Sequence, residues 1–146
     1  MGYVRITDRP EELFHYTRRD NLASILRDGR IKRMGDAECW FCSMLDDTLE
    51  LMRATVMVEG KPYVKLGGSI GRYPKFQPED YVILRLKPRY QNGEWVRWMQ
   101  EMPPGTPPEL LKAAENFSNL KLGFRGDLKF WPEPEIIEVK ALLAPE

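Results

Sequence analysis

Leu13-Phe14-His15-Tyr16-Thr17, followed at once by Arg18-Arg19-Asp20-Asn21-Leu22-Ala23-Ser24-Ile25-Leu26-Arg27-Asp28-Gly29, is the stretch from which the fold can be read. A short apolar run ends on a histidine and a hydroxyl, then gives way to a helical pattern that closes on glycine. Residues 13–17 read as a strand. Asp20 stands where a helix cap belongs, and Leu22, Ile25 and Leu26 recur at helical spacing. Gly29 sits where a left-handed terminator is expected. His15 is the only histidine in 146 residues. A His-rich metal site is therefore excluded, and any imidazole chemistry rests on this one side chain.

Outward from this unit, strands and helices follow one another without repeats. Tyr3, Val4 and Ile6 suggest an edge strand that Pro10 ends. Residues 31–35 read as a connector, and 39–43 as a second buried strand. Leu45, Leu49, Met52 and Val56 predict a helix over about residues 44–54. The β-branched run 55–58 leaves open a hairpin around Glu59-Gly60-Lys61. Residues 59–79 are rich in glycine and proline and read as a mobile loop bordering a site. The run 65–72 lacks the Gly-Lys-Ser/Thr and the strand-loop-helix setting of a phosphate loop. Residues 81–86 alternate as a strong strand, and Asn92-Gly93 signals a turn. Residues 94–99 fit a strand or a short helix. Thr106-Pro107-Pro108-Glu109 is a helix start, with Leu110, Ala114 and Phe117 as the buried face. Residues 122–131 read as extended, with Gly123 and Gly126 marking a bend or a close backbone approach. Residues 136–143 read as the last strand.

The length suits one domain spanning residues 1–146. Hydrophobic residues make up 42% and charged residues 30%, the balance of a globular chain. No apolar run approaches the roughly 18 residues of a membrane span, and no signal pattern opens the chain, so a cytoplasmic protein with no membrane contact is expected. The 22 basic and 22 acidic residues cancel, which argues against broad electrostatic capture of nucleic acid. Arg27, Arg30, Lys32 and Arg33, with Arg18 and Arg19 nearby, form a local cluster that is either a solvated face or a phosphate contact. Cys39 and Cys42 are spaced as C-x-x-C. Zinc needs about four ligands, and a redox pair should open a helix. Here Trp40 and Phe41 lie between them in a strand pattern, so two reduced core cysteines and no metal are expected.

Three features carry chemistry: His15, the run Phe41-Cys42-Ser43, and the acids Glu133 and Glu135 held around Pro134. A carboxylate beside a histidine and a hydroxyl in a cleft can orient ribose and stabilise a cationic sugar. The alternative is a satisfied core histidine and two surface acids at the start of a strand.

His-Tyr-Thr followed by Asp-Asn-Leu-x-x-Ile-Leu-x-x-Gly resembles the start of the ADP-ribosyltransferase fold, most of all the DNA-targeting thymidine ADP-ribosyltransferase toxins and related small families. Trp40-Phe41-Cys42-Ser43 resembles the second strand of that fold, and Pro134-Glu135-Ile136-Ile137-Glu138-Val139 its closing strand with the catalytic glutamate. The resemblance implies an α+β domain on a split antiparallel sheet with two or three helices. It implies NAD as substrate and transfer of ADP-ribose to a macromolecular acceptor, protein or nucleic acid, as a toxin or phage effector. His15 would bind the ribose or carboxamide of NAD, supported by Thr17 and Ser43. Tyr16 or Phe41 would line the nicotinamide pocket. Glu135 would be the catalytic acid, with Glu133 and Glu138 as competitors. The tyrosine of the His-Tyr-Glu subgroup has no clear counterpart. The alternative is an inactive domain of the same fold that binds proteins or inhibits, for which exposed Trp95, Trp98 and Trp131 would serve as anchors.

Overall fold

The inner strands carry runs of consecutive buried residues, as strands covered on both faces do. The computed structural model describes residues 2–6, 10–32, 38–99 and 103–143. In chain order the elements are β1 (Gly2–Ile6), β2 (Leu13–Arg18), α1 (Leu22–Asp28), β3 (Arg30–Ile31), β4 (Glu38–Phe41), α2 (Leu45–Thr55), β5 (Pro62–Val64), β6 (Ile70–Arg72), β7 (Tyr81–Leu86), β8 (Trp95–Met99), α3 (Pro108–Asn119), β9 (Leu122–Arg125), β10 (Leu128–Lys129), β11 (Glu135–Glu138) and α4 (Val139–Leu143). The fold is mixed α/β, with antiparallel sheets and, among the described residues, four α-helices.

A three-stranded sheet runs β11-β7-β2 and a four-stranded sheet runs β1-β8-β9-β4. Among the described residues their backbones are joined by one antiparallel pair: Phe14 N donates to Cys42 O at 2.7 Å, and Cys42 N to Phe14 O at 2.9 Å. β7 is the central strand of its sheet, and Val82, Ile83 and Leu84 on it are wholly buried, as covering both faces requires. One face (Leu13, Val82, Leu84, Leu86) packs on Phe41, Leu122 and Phe124 of the other sheet and on Ile25 of α1. The other face (Phe14, Ile83) packs on Met52 of α2 and on Val139. Each fully buried aliphatic here contributes about 1.5–3 kcal/mol over its exposed state.

Several boundaries differ from expectation. Residues 94–99 form β8, paired with both β1 and β9. The second strand stops at Phe41, and only Cys42 extends the pairing, as the single bridge to β2. The hairpin lies at β5–β6 rather than around 59–61; the β-branched Thr55 completes α2 instead. The last strand ends at Glu138. Its partner β7 begins at Tyr81, so a strand continuing to 143 would have no ladder to bind, and the chain turns into α4. Asp20 and Asn21 make no side-chain cap bond to α1, but Gly29 does terminate it at φ 66°. Leu110 is exposed, while Ser118, two turns on, is buried; the side chain of Phe117 lies outside the described residues. Among the described residues no helix is long and apolar enough to cross a membrane.

Candidate functional site

Beyond the Phe14–Cys42 pair the two sheets part, and the gap is a cleft of about 330 Å³. Had the ladder continued, the backbone of β2 would have bonded β4. Instead the His15 ring takes over: Nδ1 lies 3.0 Å from Trp40 O. A carbonyl oxygen only accepts, so Nδ1 carries the proton and Nε2 of the neutral ring is an acceptor. Burial lowers the His15 pKa, partly opposed by the Trp40 bond, so the ring is neutral at pH 7.

The walls are aromatic and apolar. Phe14, Tyr16, Trp40, Phe41, Ile31, Cys39, Cys42 and Leu51 line the cleft with His15. Phe41 packs 5.2 Å from His15 and 6.5 Å from Trp95, tying the cleft to the core. Tyr16 OH is 3.0 Å from Thr55 Oγ1, which itself donates to Leu51 O at 2.7 Å. The tyrosine is therefore the donor, and burial raises its pKa. Gly123 allows Trp40 to lie flat against β9: a Cβ there would sit 2.9 Å from the indole. The close approach foreseen at Gly123 is thus a contact with the cleft wall.

The charged lining residues are Lys32 and Lys121. Lys121 Nζ stands 4.8 Å from the Trp40 ring centroid, and burial lowers its pKa. Among the described residues no carboxylate lines the cleft. A side pocket continues past His15 and Lys32 to Thr17, Asn21, Ser24 and Arg30. Its one carboxylate, Asp28, is bound to Lys32 at 2.9 Å and Arg27 at 3.2 Å, which lower its pKa.

The structure brings His15, Tyr16 and Phe41 together around the cleft and puts Thr17 in the side pocket, its Oγ1 accepting from Asn21 Nδ2 at 3.2 Å. Ser43 is exposed and does not line the cleft. Glu135 is not brought to His15. In register, Phe14, Arg85 and Glu135 align across β2, β7 and β11, while His15 aligns with Leu84 and Ile136. Directly opposed residues share a face and neighbours alternate, so Glu135 and His15 lie on opposite faces. The Glu135 carboxylate sits 3.5 Å from Arg85 Nη1, with Glu133 beside it in a shallow surface hollow. Glu138 does share the His15 face, aligned with Thr17, and is held by the Arg19 guanidinium, which lowers its pKa.

No family model, curated protein or solved structure matches this chain. Function therefore rests on the cleft itself.

Sequence reading placed Lys32 in a candidate phosphate-contact cluster and Cys42 in the run Phe41-Cys42-Ser43, but did not bring forward Lys121, Trp40 or Thr55 as lining residues. Only pairing between elements far apart in the chain reveals them; β4 meets β9 across some eighty positions. Both cysteines are buried free thiols, and burial pushes Cys42 up to about 11, which leaves it unreactive at neutral pH. Trp95 is buried and Trp131 exposed, while the Trp98 side chain and Arg33 lie outside the described residues.

Proposed function

We propose that this chain is a nucleotide-binding module, built like an inactive ADP-ribosyltransferase domain. One observation carries the reading: the cleft beside His15 is walled by aromatic rings and rimmed by Lys32 and Lys121, with no carboxylate lining it among the described residues. Aromatic walls suit a planar base or nicotinamide. Lysines suit phosphate. Cleaving NAD develops positive charge on the ribose, which a carboxylate stabilises and the Lys121 ammonium opposes, while the Lys32 charge is offset by its pair with Asp28. The arrangement therefore favours holding NAD or ADP-ribose over transferring it. The split between β2 and β4, and the His-aromatic-Thr strand leading into α1, support the transferase-like architecture.

Binding and turnover separate the readings. A rise in melting temperature with NAD, ADP-ribose or AMP, with no nicotinamide released from NAD, is the expected result. No shift with any of the three, or steady nicotinamide release, defeats it. Glu138 on the His15 face favours a second reading, an active transferase in which Arg19 gives up that acid. Nicotinamide release abolished by Glu138→Gln is its signature.

A further inference from the structure

Among the described residues the β5–β6 hairpin pairs with no other strand and forms a two-stranded sheet of its own. Gly67 and Gly68, at φ 97° and 89°, turn its tip. Val64 and Ile70 face each other across the hairpin and share a face. With Leu66 at the tip they form an aliphatic cluster, exposed at 75%, 71% and 104%. Behind the tip, the Tyr63 and Tyr73 rings pack at 4.9 Å. Gly71 makes room for Tyr63 and Lys65: a Cβ there would lie 2.9 Å from the Tyr63 ring and 2.5 Å from Lys65 Cε. Residues 60–77 carry Lys61, Lys65, Arg72 and Lys75 and no acidic residue, in a chain of zero net charge. Among the described residues Lys61, Lys65 and Lys75 have no ion-pair partner. Arg72 donates to Gly60 O at 2.9 Å, bracing the base.

Aliphatic tip, tyrosines behind it and cations around both form three layers along one arm. They match hydrocarbon, carbonyl-headgroup and phosphate depth at a bilayer surface. Single-stranded nucleic acid would be met by exposed rings for stacking, whereas the tip offers only aliphatic groups. We propose that the β5–β6 hairpin attaches this protein to an anionic membrane surface, inserting Val64, Leu66 and Ile70 while the lysines bind lipid phosphates. The two-residue advance from Val64 to Leu66 covers about 7 Å, within the roughly 5–10 Å of interfacial insertion. The lack of a spanning segment excludes no such contact, and the cleft plays no part in it.

Cosedimentation of the full chain with phosphatidylcholine vesicles, with and without phosphatidylserine, tests this. Binding should require phosphatidylserine and weaken with salt. Lys65→Gln should weaken it about fivefold, near the effect of one cation at such a surface. Leu66→Asp with Ile70→Asp should weaken it at least tenfold, and the milder Leu66→Ser in the same direction, with melting temperatures unchanged because all these side chains are exposed. Sedimentation indifferent to phosphatidylserine, or aspartates at the tip without effect, overturns the proposal. So does a wild-type chain that ignores vesicles but binds a single-stranded oligonucleotide through the same lysines.

Discussion

Replacing Lys121 by glutamate reverses a charge in the cleft lining and adds a carboxylate to the wall that His15 also lines. Lys121 is half-buried beside Trp40. A unit charge about 4 Å from a phosphate is worth about 4 kcal/mol at an effective dielectric near 20. Solvent at this half-open site brings it to about 1–2 kcal/mol. Neutralising the lysine with Lys121→Gln should therefore weaken NAD or ADP-ribose binding about tenfold, and Lys121→Glu about a hundredfold, since two charges change. Lys121→Arg keeps the cation and should stay within a few-fold of wild type. Isothermal titration at two salt concentrations reads all three; the losses should shrink at high salt. Equal affinity for wild type, the glutamine and the glutamate variants would refute phosphate recognition by this lysine. A Lys121→Glu protein that gained nicotinamide release would strengthen the idea that the cleft lacks only an acid.

Glu135→Gln should leave nucleotide affinity and melting temperature unchanged, because its carboxylate is exposed beside Arg85 on the far face of the sheet; a loss of binding would contradict that placement. Phe41→Ala should destabilise by about 3–5 kcal/mol, and lower the melting temperature by roughly 10 °C or more, since the ring is fully buried between His15 and Trp95; calorimetry decides it. His15 has a depressed pKa when folded, so the unfolded chain binds the proton more tightly and stability falls as pH drops below about 6.5, levelling off below the folded pKa. Chemical denaturation of His15→Gln across this range should lack that part of the pH dependence. Gly29→Ala should cost about 1 kcal/mol, because Gly29 ends α1 in the left-handed region with nothing to clash against; an unchanged melting temperature would contradict this.

The sequence alone determined the local grammar. Leu13 to Thr17 showed as a strand, Leu22, Ile25 and Leu26 as a helical stripe, and Gly29 as its stop, because these follow from spacing and backbone conformation over a few residues. The same reading brought His15, Tyr16 and Phe41 forward as lining residues. Tertiary structure alone decided which groups meet. A one-residue step in register moves a strand side chain to the other face, so whether Glu135 or Glu138 shares the His15 face was fixed only by pairing with β7. Lys121 reached the cleft because β9 pairs with β4, a contact no local pattern encodes. Which charged side chains line the cleft is set by these long-range pairings.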